Sequence, residues 1–111
     1  MENKALILTS KLVQDHEFIY PFYRLKEEGF IVHTFNGNDK QVLGYFGTKI
    51  PPKEEDHIIQ LKDINVKNYS LLILPGGIKS MEIMRLNKEL LNIIKKFNDN
   101  NIIIAATCST A

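Results

Sequence analysis

The chain has 111 residues, 44% of them hydrophobic and 24% charged, which is enough ordinary globular sequence for one domain and not two. A formal net charge of +1 leaves no field of the kind that attracts nucleic acid or an acidic surface. One cysteine closes no internal disulfide, nothing suggests a zinc site, and the apolar run in MENKALILTS is too short for a signal core or a membrane span, so the expectation is a cytoplasmic protein with no metal, cofactor or membrane partner.

Ala5 to Leu8 is a short apolar run ending in Thr9-Ser10, the pattern of a buried strand. From Gln14 to Glu28, Phe18, Ile19, Phe22 and Leu25 form a helical stripe, and Gly29 is placed to end the helix. Pro21 predicts a kink in this helix or a start close to it. Phe30 to Phe35 reads as a second strand, followed by the turn residues Gly37-Asn38-Asp39. Val42 to Phe46 and Thr48 to Ile50 suggest a small hairpin stopped by Pro51-Pro52. Residues 63–70 suggest one short helical turn. Leu71 to Leu74 has the continuous apolar character of a strand covered on both faces, and Pro75-Gly76-Gly77 ends it. Leu90, Leu91, Ile94 and Phe97 predict a helix over 87–98, Asn98 to Asn101 a turn, and Ile102 to Thr107 a last buried strand with Cys108 at its end.

This order predicts one α/β domain over 1–111, with a mainly parallel sheet and helices on both faces. In such sheets ligands bind beyond the carboxyl ends of strands. Ser10, Gly77 and Cys108 all follow strands, so they should meet at one edge. In IIIAATCSTA, small residues lead from a strand to the cysteine, as at a nucleophile elbow, where an exposed side chain and a helix dipole favour a thiolate. A buried structural cysteine at a strand end is the competing reading. In LLILPGG, glycines let backbone N–H groups approach a ligand, although a plain β-α turn has the same pattern. His16, His33 and His57 are far apart. His33 is expected half-buried in its strand, His57 exposed, and only His16 near the candidate site. Tyr20, Phe22 and Tyr23 read as core and interface surface, and Lys95 and Lys96 as a solvated helix face.

Taken together, EFIYPFYRLKEEGF, LLILPGG, RLN before a helix and IIIAATC come in an order and spacing that resemble the ThiJ/PfpI superfamily, nearest its PfpI-type intracellular protease branch. The resemblance covers essentially the whole chain and accounts for Pro21. It implies a flavodoxin-like fold, with Cys108 at the nucleophile position and the backbone N–H groups of Gly77 and Ser109 at an oxyanion site. It places Gln14 where the family carries a glutamate, and Ser109 where PfpI-type members carry a histidine. Glu82 falls near an acidic residue that such members supply across a subunit interface. The implied activity is cysteine-dependent hydrolysis or glyoxalase-type modification of a carbonyl, on a small-molecule or peptide substrate, in a homo-oligomer. The losses at Gln14 and Ser109 set beside it a non-enzymatic, redox-responsive or stress-associated role, or a remnant. Members of the superfamily continue for roughly another 60 residues past the elbow, within the usual size of a single domain. By that measure the chain resembles the N-terminal two-thirds of the family domain, incomplete at its C-terminus, as in a fragment, a truncated reading frame or one piece of a split protein.

Overall fold

Four parallel strands carry the architecture. The structure, a computed structural model, describes residues 3–9, 15–36, 42–43, 49–50, 59–75 and 88–106. In chain order they form β1 (Lys4–Thr9), α1 (Asp15–Glu27), β2 (Ile31–Asn36), the short strands β3 (Val42–Leu43) and β4 (Lys49–Ile50), β5 (Leu71–Leu74), α2 (Lys88–Asp99) and β6 (Ile103–Ala106). The main sheet has the order β2-β1-β5-β6, all parallel, with Leu6 opposite His33 and Leu72, and Leu72 opposite Ile104. β3 and β4 pair antiparallel, the expected hairpin in shorter form.

The apolar runs explain which strands are central. β1 is buried along all but its first residue, and Leu72, Ile73 and Leu74 of β5 are buried. Period-two alternation then sorts the side chains between two cores. Leu6, Leu8, Phe35, Leu72 and Leu74 pack with Leu90 and Phe97 of α2 and with Val66 and Tyr69. Ile7, Val32 and Ile73 pack on the other face with Phe18 and Phe22 of α1. The two helices lie on opposite faces because the crossovers run in opposite directions. β1 to β2 moves one way across the sheet and β5 to β6 the other, and each crossover must be right-handed.

Both helices end in the same lock. Gly29, with φ +89°, donates its N–H to the Lys26 carbonyl at 3.1 Å, and Phe30 N–H donates to Leu25 at 2.9 Å. At the end of α2, Asn101 (φ 57°) donates to Asn98 and Ile102 to Phe97, each at 3.1 Å. These are Schellman closures, and each turns the chain directly into a strand.

Three expectations need correction. α1 runs through Pro21 as a continuous helix beginning at Asp15, six residues earlier, so the proline does not mark its start. The region 63–70 holds the one short turn expected of it, a 3₁₀ turn at Val66–Asn68, and a further turn precedes it at Leu61–Asp63. Asn65 makes the separation by capping the later turn, its Oδ1 accepting from Lys67 N–H at 3.2 Å. Leu91 is 47% exposed and Ile93 takes its place against the core, because position 93 lies a turn from both Leu90 and Phe97. Finally, β6 is not buried. It is the last strand in the sheet order, and its side chains alternate between exposed and partly covered.

Candidate functional site

The strand order reverses direction between β1 and β5, and this is the topological switch point of the sheet. The helices that follow these two adjacent strands, α1 and α2, pack on opposite faces, the arrangement that in open parallel sheets makes the carboxyl ends of the strands the place where ligands bind. β1 ends at Thr9, fully buried, and β5 at Leu74 and Pro75, both buried. β6 lies beside β5 with Ala106 opposite Leu74. The three strands whose following residues carry the predicted chemistry thus end side by side, as the sequence order requires. The predicted site residues themselves, Gln14, Gly77, Glu82, Cys108 and Ser109, lie outside the described residues, as do Ser10 and His57.

The described strand ends present small or apolar groups rather than charge. Among the described residues Thr9 and Thr34 are the buried polar ones, and both are engaged. Ala105 and Ala106 bring little bulk to the end of β6, so the backbone there is open to approach. Among the described residues no group of three or more His, Cys, Asp or Glu side chains is placed to hold a metal ion. No described helix is long and apolar enough to cross a membrane.

One polar pair inside the fold was only half visible in the sequence. His33 is partly buried, as its alternating strand suggests, and its Nδ1 lies 2.7 Å from the Tyr69 hydroxyl. Burial, and secondarily the charge of Lys4, push His33 below its ordinary value of 6.5, while burial pushes the Tyr69 phenol up to about 12. The neutral imidazole therefore accepts the phenol's hydrogen. His33 sits mid-strand on β2 and Tyr69 just ahead of β5, neither at the carboxyl edge, so the pair braces the sheet and lies apart from the switch point. A cavity of about 600 Å³ runs between the first 3₁₀ turn and α2, lined by Gln60, Lys62, Glu89, Asn92 and Lys96 among others. Among the described residues its lining includes no cysteine, serine or histidine. Lys95 and Lys96 are exposed as expected, Phe22 is core, and Tyr20 is 70% exposed.

Comparison with known proteins gives this architecture relatives. The model of the DJ-1/PfpI family matches residues 3–111. A protein of uncharacterised function from Archaeoglobus fulgidus is 33% identical over 105 residues, covering 95% of this chain and 59% of its own length. Deglycase PH1704 of Pyrococcus horikoshii is 30% identical, covering 95% and 60%. Among solved structures, the VC2308 protein superposes with a TM-score of 0.85 at 23% identity, over 99% of this chain and 54% of its own. DJ-1 of Toxoplasma gondii in an oxidised form superposes with a TM-score of 0.81 at 19% identity, over 97% and 56%. The chain spans about three fifths of the length of the curated relatives it matches.

Proposed function

The chain belongs to the DJ-1/PfpI family, and from that premise we propose that its function is thiol chemistry at Cys108, directed at a carbonyl carbon, with the proton-transfer machinery of the family incomplete. The supporting observation is the adjacency of β1, β5 and β6 at the switch point, because Gln14, Gly77 and Cys108 follow these three strands in the sequence. Relatives named deglycases at 30% identity favour a hydrolytic or carbonyl-modifying reaction.

In this reading the Cys108 thiolate adds to the carbonyl carbon. A C–S bond forms, and the C=O electron pair moves onto oxygen, where the backbone N–H groups of Gly77 and Ser109 receive the charge. Gln14 stands where the family carboxyl donates to the sulfur, and its amide N–H₂ donates without holding a proton. Resolution of the adduct needs a group that exchanges protons near neutral pH. Ser109, in place of histidine, does not do that. Glu82 is assigned to the site as the acidic group a neighbouring subunit would contribute, in a homo-oligomer. The chain is thus expected to form adducts readily and turn over slowly.

The test is the pH dependence of Cys108 alkylation by iodoacetamide in the native chain and in Gln14→Glu and Gln14→Ala. An apparent pKa below the ordinary thiol value of about 8.5, raised in Gln14→Ala, is the expected result. A value at or above 8.5, indifferent to both substitutions, makes Cys108 a structural residue. Fast alkylation or peroxide oxidation with no release of product from a glycated peptide selects the second reading, a redox-responsive binding protein, which the missing histidine favours.

A further inference from the structure

The two 3₁₀ turns and α2 enclose a groove with an apolar floor and polar walls. Leu61, Ile64 and Ile93 form the floor and pack down on the core beneath α2. The cavity of about 600 Å³ beside the first turn adjoins a second of about 270 Å³ beside the later one, and Lys96 of α2 borders both. Lys62 of the first turn lines the larger cavity and Lys67 of the later turn the smaller. Three ammonium groups from three separate elements therefore converge on one groove. All three lysines are exposed, and among the described residues none of them has an ion-pair partner. Asp63 and Asp99 share these elements but line neither cavity.

The groove is graded along its length. Glu89, the carboxylate in its lining, lies about 10 Å along the helix axis from Lys96. That end favours neutral polar groups, which the amides of Gln60 and Asn92 can hydrogen-bond. The other end, between Lys67 and Lys96, favours an anion. Asn65 adds to it, because its Oδ1 is occupied by Lys67 N–H at 3.2 Å and its N–H₂ group is left to donate. The arrangement is held from below, since Val66 and Tyr69 share one buried core with Leu90 and Phe97 of α2. The later turn leads into β5 and the end of α2 into β6, so the cationic end lies at the amino ends of these strands. That is the opposite edge of the sheet from the strand ends that precede Gly77 and Cys108.

We propose that this groove binds a small polyhydroxylated phosphate monoester. Its phosphate lies among Lys62, Lys67 and Lys96, its carbon skeleton on Leu61 and Ile93, and its hydroxyls against Gln60 and Asn92. A phosphate monoester carries nearly two negative charges and three acceptor oxygens, which suits several lysines better than a single carboxylate does. The larger cavity has the size of an ordinary small-molecule site. The test is titration calorimetry of the 111-residue chain with sorbitol 6-phosphate at low ionic strength, with backbone amide shifts to locate the ligand. This probe has no carbonyl, so thiol addition at Cys108 cannot supply the signal. One-to-one binding is expected, stronger than that of inorganic phosphate or citrate, with sorbitol itself not binding. Lys96→Gln and Lys67→Gln are each expected to weaken it roughly three- to tenfold. Lys95→Gln, exposed on the same helix but outside both cavities, leaves it unchanged. Circular dichroism checks that each variant is folded, and the Lys96 and Lys67 substitutions stand in for one another if one is not. Absence of binding, an affinity no higher than that for inorganic phosphate or citrate, or equal weakening by Lys95→Gln and Lys96→Gln overturns the proposal.

Discussion

His33 occupies a place where a positive charge is unwelcome. Its ring is partly buried, Lys4 adds a like charge, and its Nδ1 is occupied by the Tyr69 hydroxyl at 2.7 Å. The unfolded chain binds a proton at this residue near 6.5, and the folded chain does so only at lower pH. The corresponding stability is fully present above 6.5 and is lost as pH falls through the lowered folded value. Urea unfolding between pH 7.5 and 5 is expected to show declining stability, with a shallower decline in His33→Gln. Tyr69→Phe removes the phenol's hydrogen bond and is expected to cost about 1 kcal/mol at pH 7.5, read from the same unfolding curves. The sequence made His33 visible through its strand position. It gave no sign of Tyr69, whose ring reaches His33 only because β5 and β2 flank the same strand and the 3₁₀ turns bring residue 69 back over that face.

The elements were legible where local chemistry and tertiary packing agree. Gly29 was readable as a helix terminator because a φ of +89° suits glycine and strains other residues. Asn101 does the same work at φ 57° and was readable only as part of a turn, since asparagine serves many turn types. Asn101→Val is expected to lower stability by about 1–2 kcal/mol, and Asn101→Gly to be near neutral, as thermal unfolding of the pair checks. Pro21 misled about the start of α1 because helix continuity here is decided by packing. Phe18 and Phe22, stacked with ring centroids 5.5 Å apart, hold both sides of the proline against Ile7 and Val32. The missing backbone hydrogen bond remains a cost, so Pro21→Ala is expected to raise stability by about 1–3 kcal/mol. Phe97, fully buried against Tyr69, is the anchor of α2, and Phe97→Ala is expected to cost about 3–5 kcal/mol. The edge character of β6 is not legible in its own residues, because Ile-Ile-Ala-Ala is as apolar as a central strand and exposure there depends on what lies beside the strand.

At the scale of the whole molecule, the parallel sheet was legible from the alternation of short apolar runs with amphipathic helices, and the neighbouring of β1, β5 and β6 followed from it. The candidate site was legible only as far as those strand ends. Which side chains meet beyond them depends on connections whose residues, Gln14, Gly77 and Cys108 among them, lie outside the described ones. The order β2-β1-β5-β6 also has a temporal consequence. β1, α1 and β2 form a complete right-handed unit as soon as residue 36 has left the ribosome. The second edge of β1 has to wait for β5, nearly forty residues later, which at ordinary translation speed is about 2–8 s. Throughout that interval β1, whose residues from Ala5 to Thr9 are fully buried in the finished fold, offers an unpaired edge to its surroundings. The nascent chain is therefore at its most vulnerable to aggregation before Leu71 is made, and synthesis slowed between codons 37 and 70 is expected to lower soluble yield while leaving the finished fold unchanged.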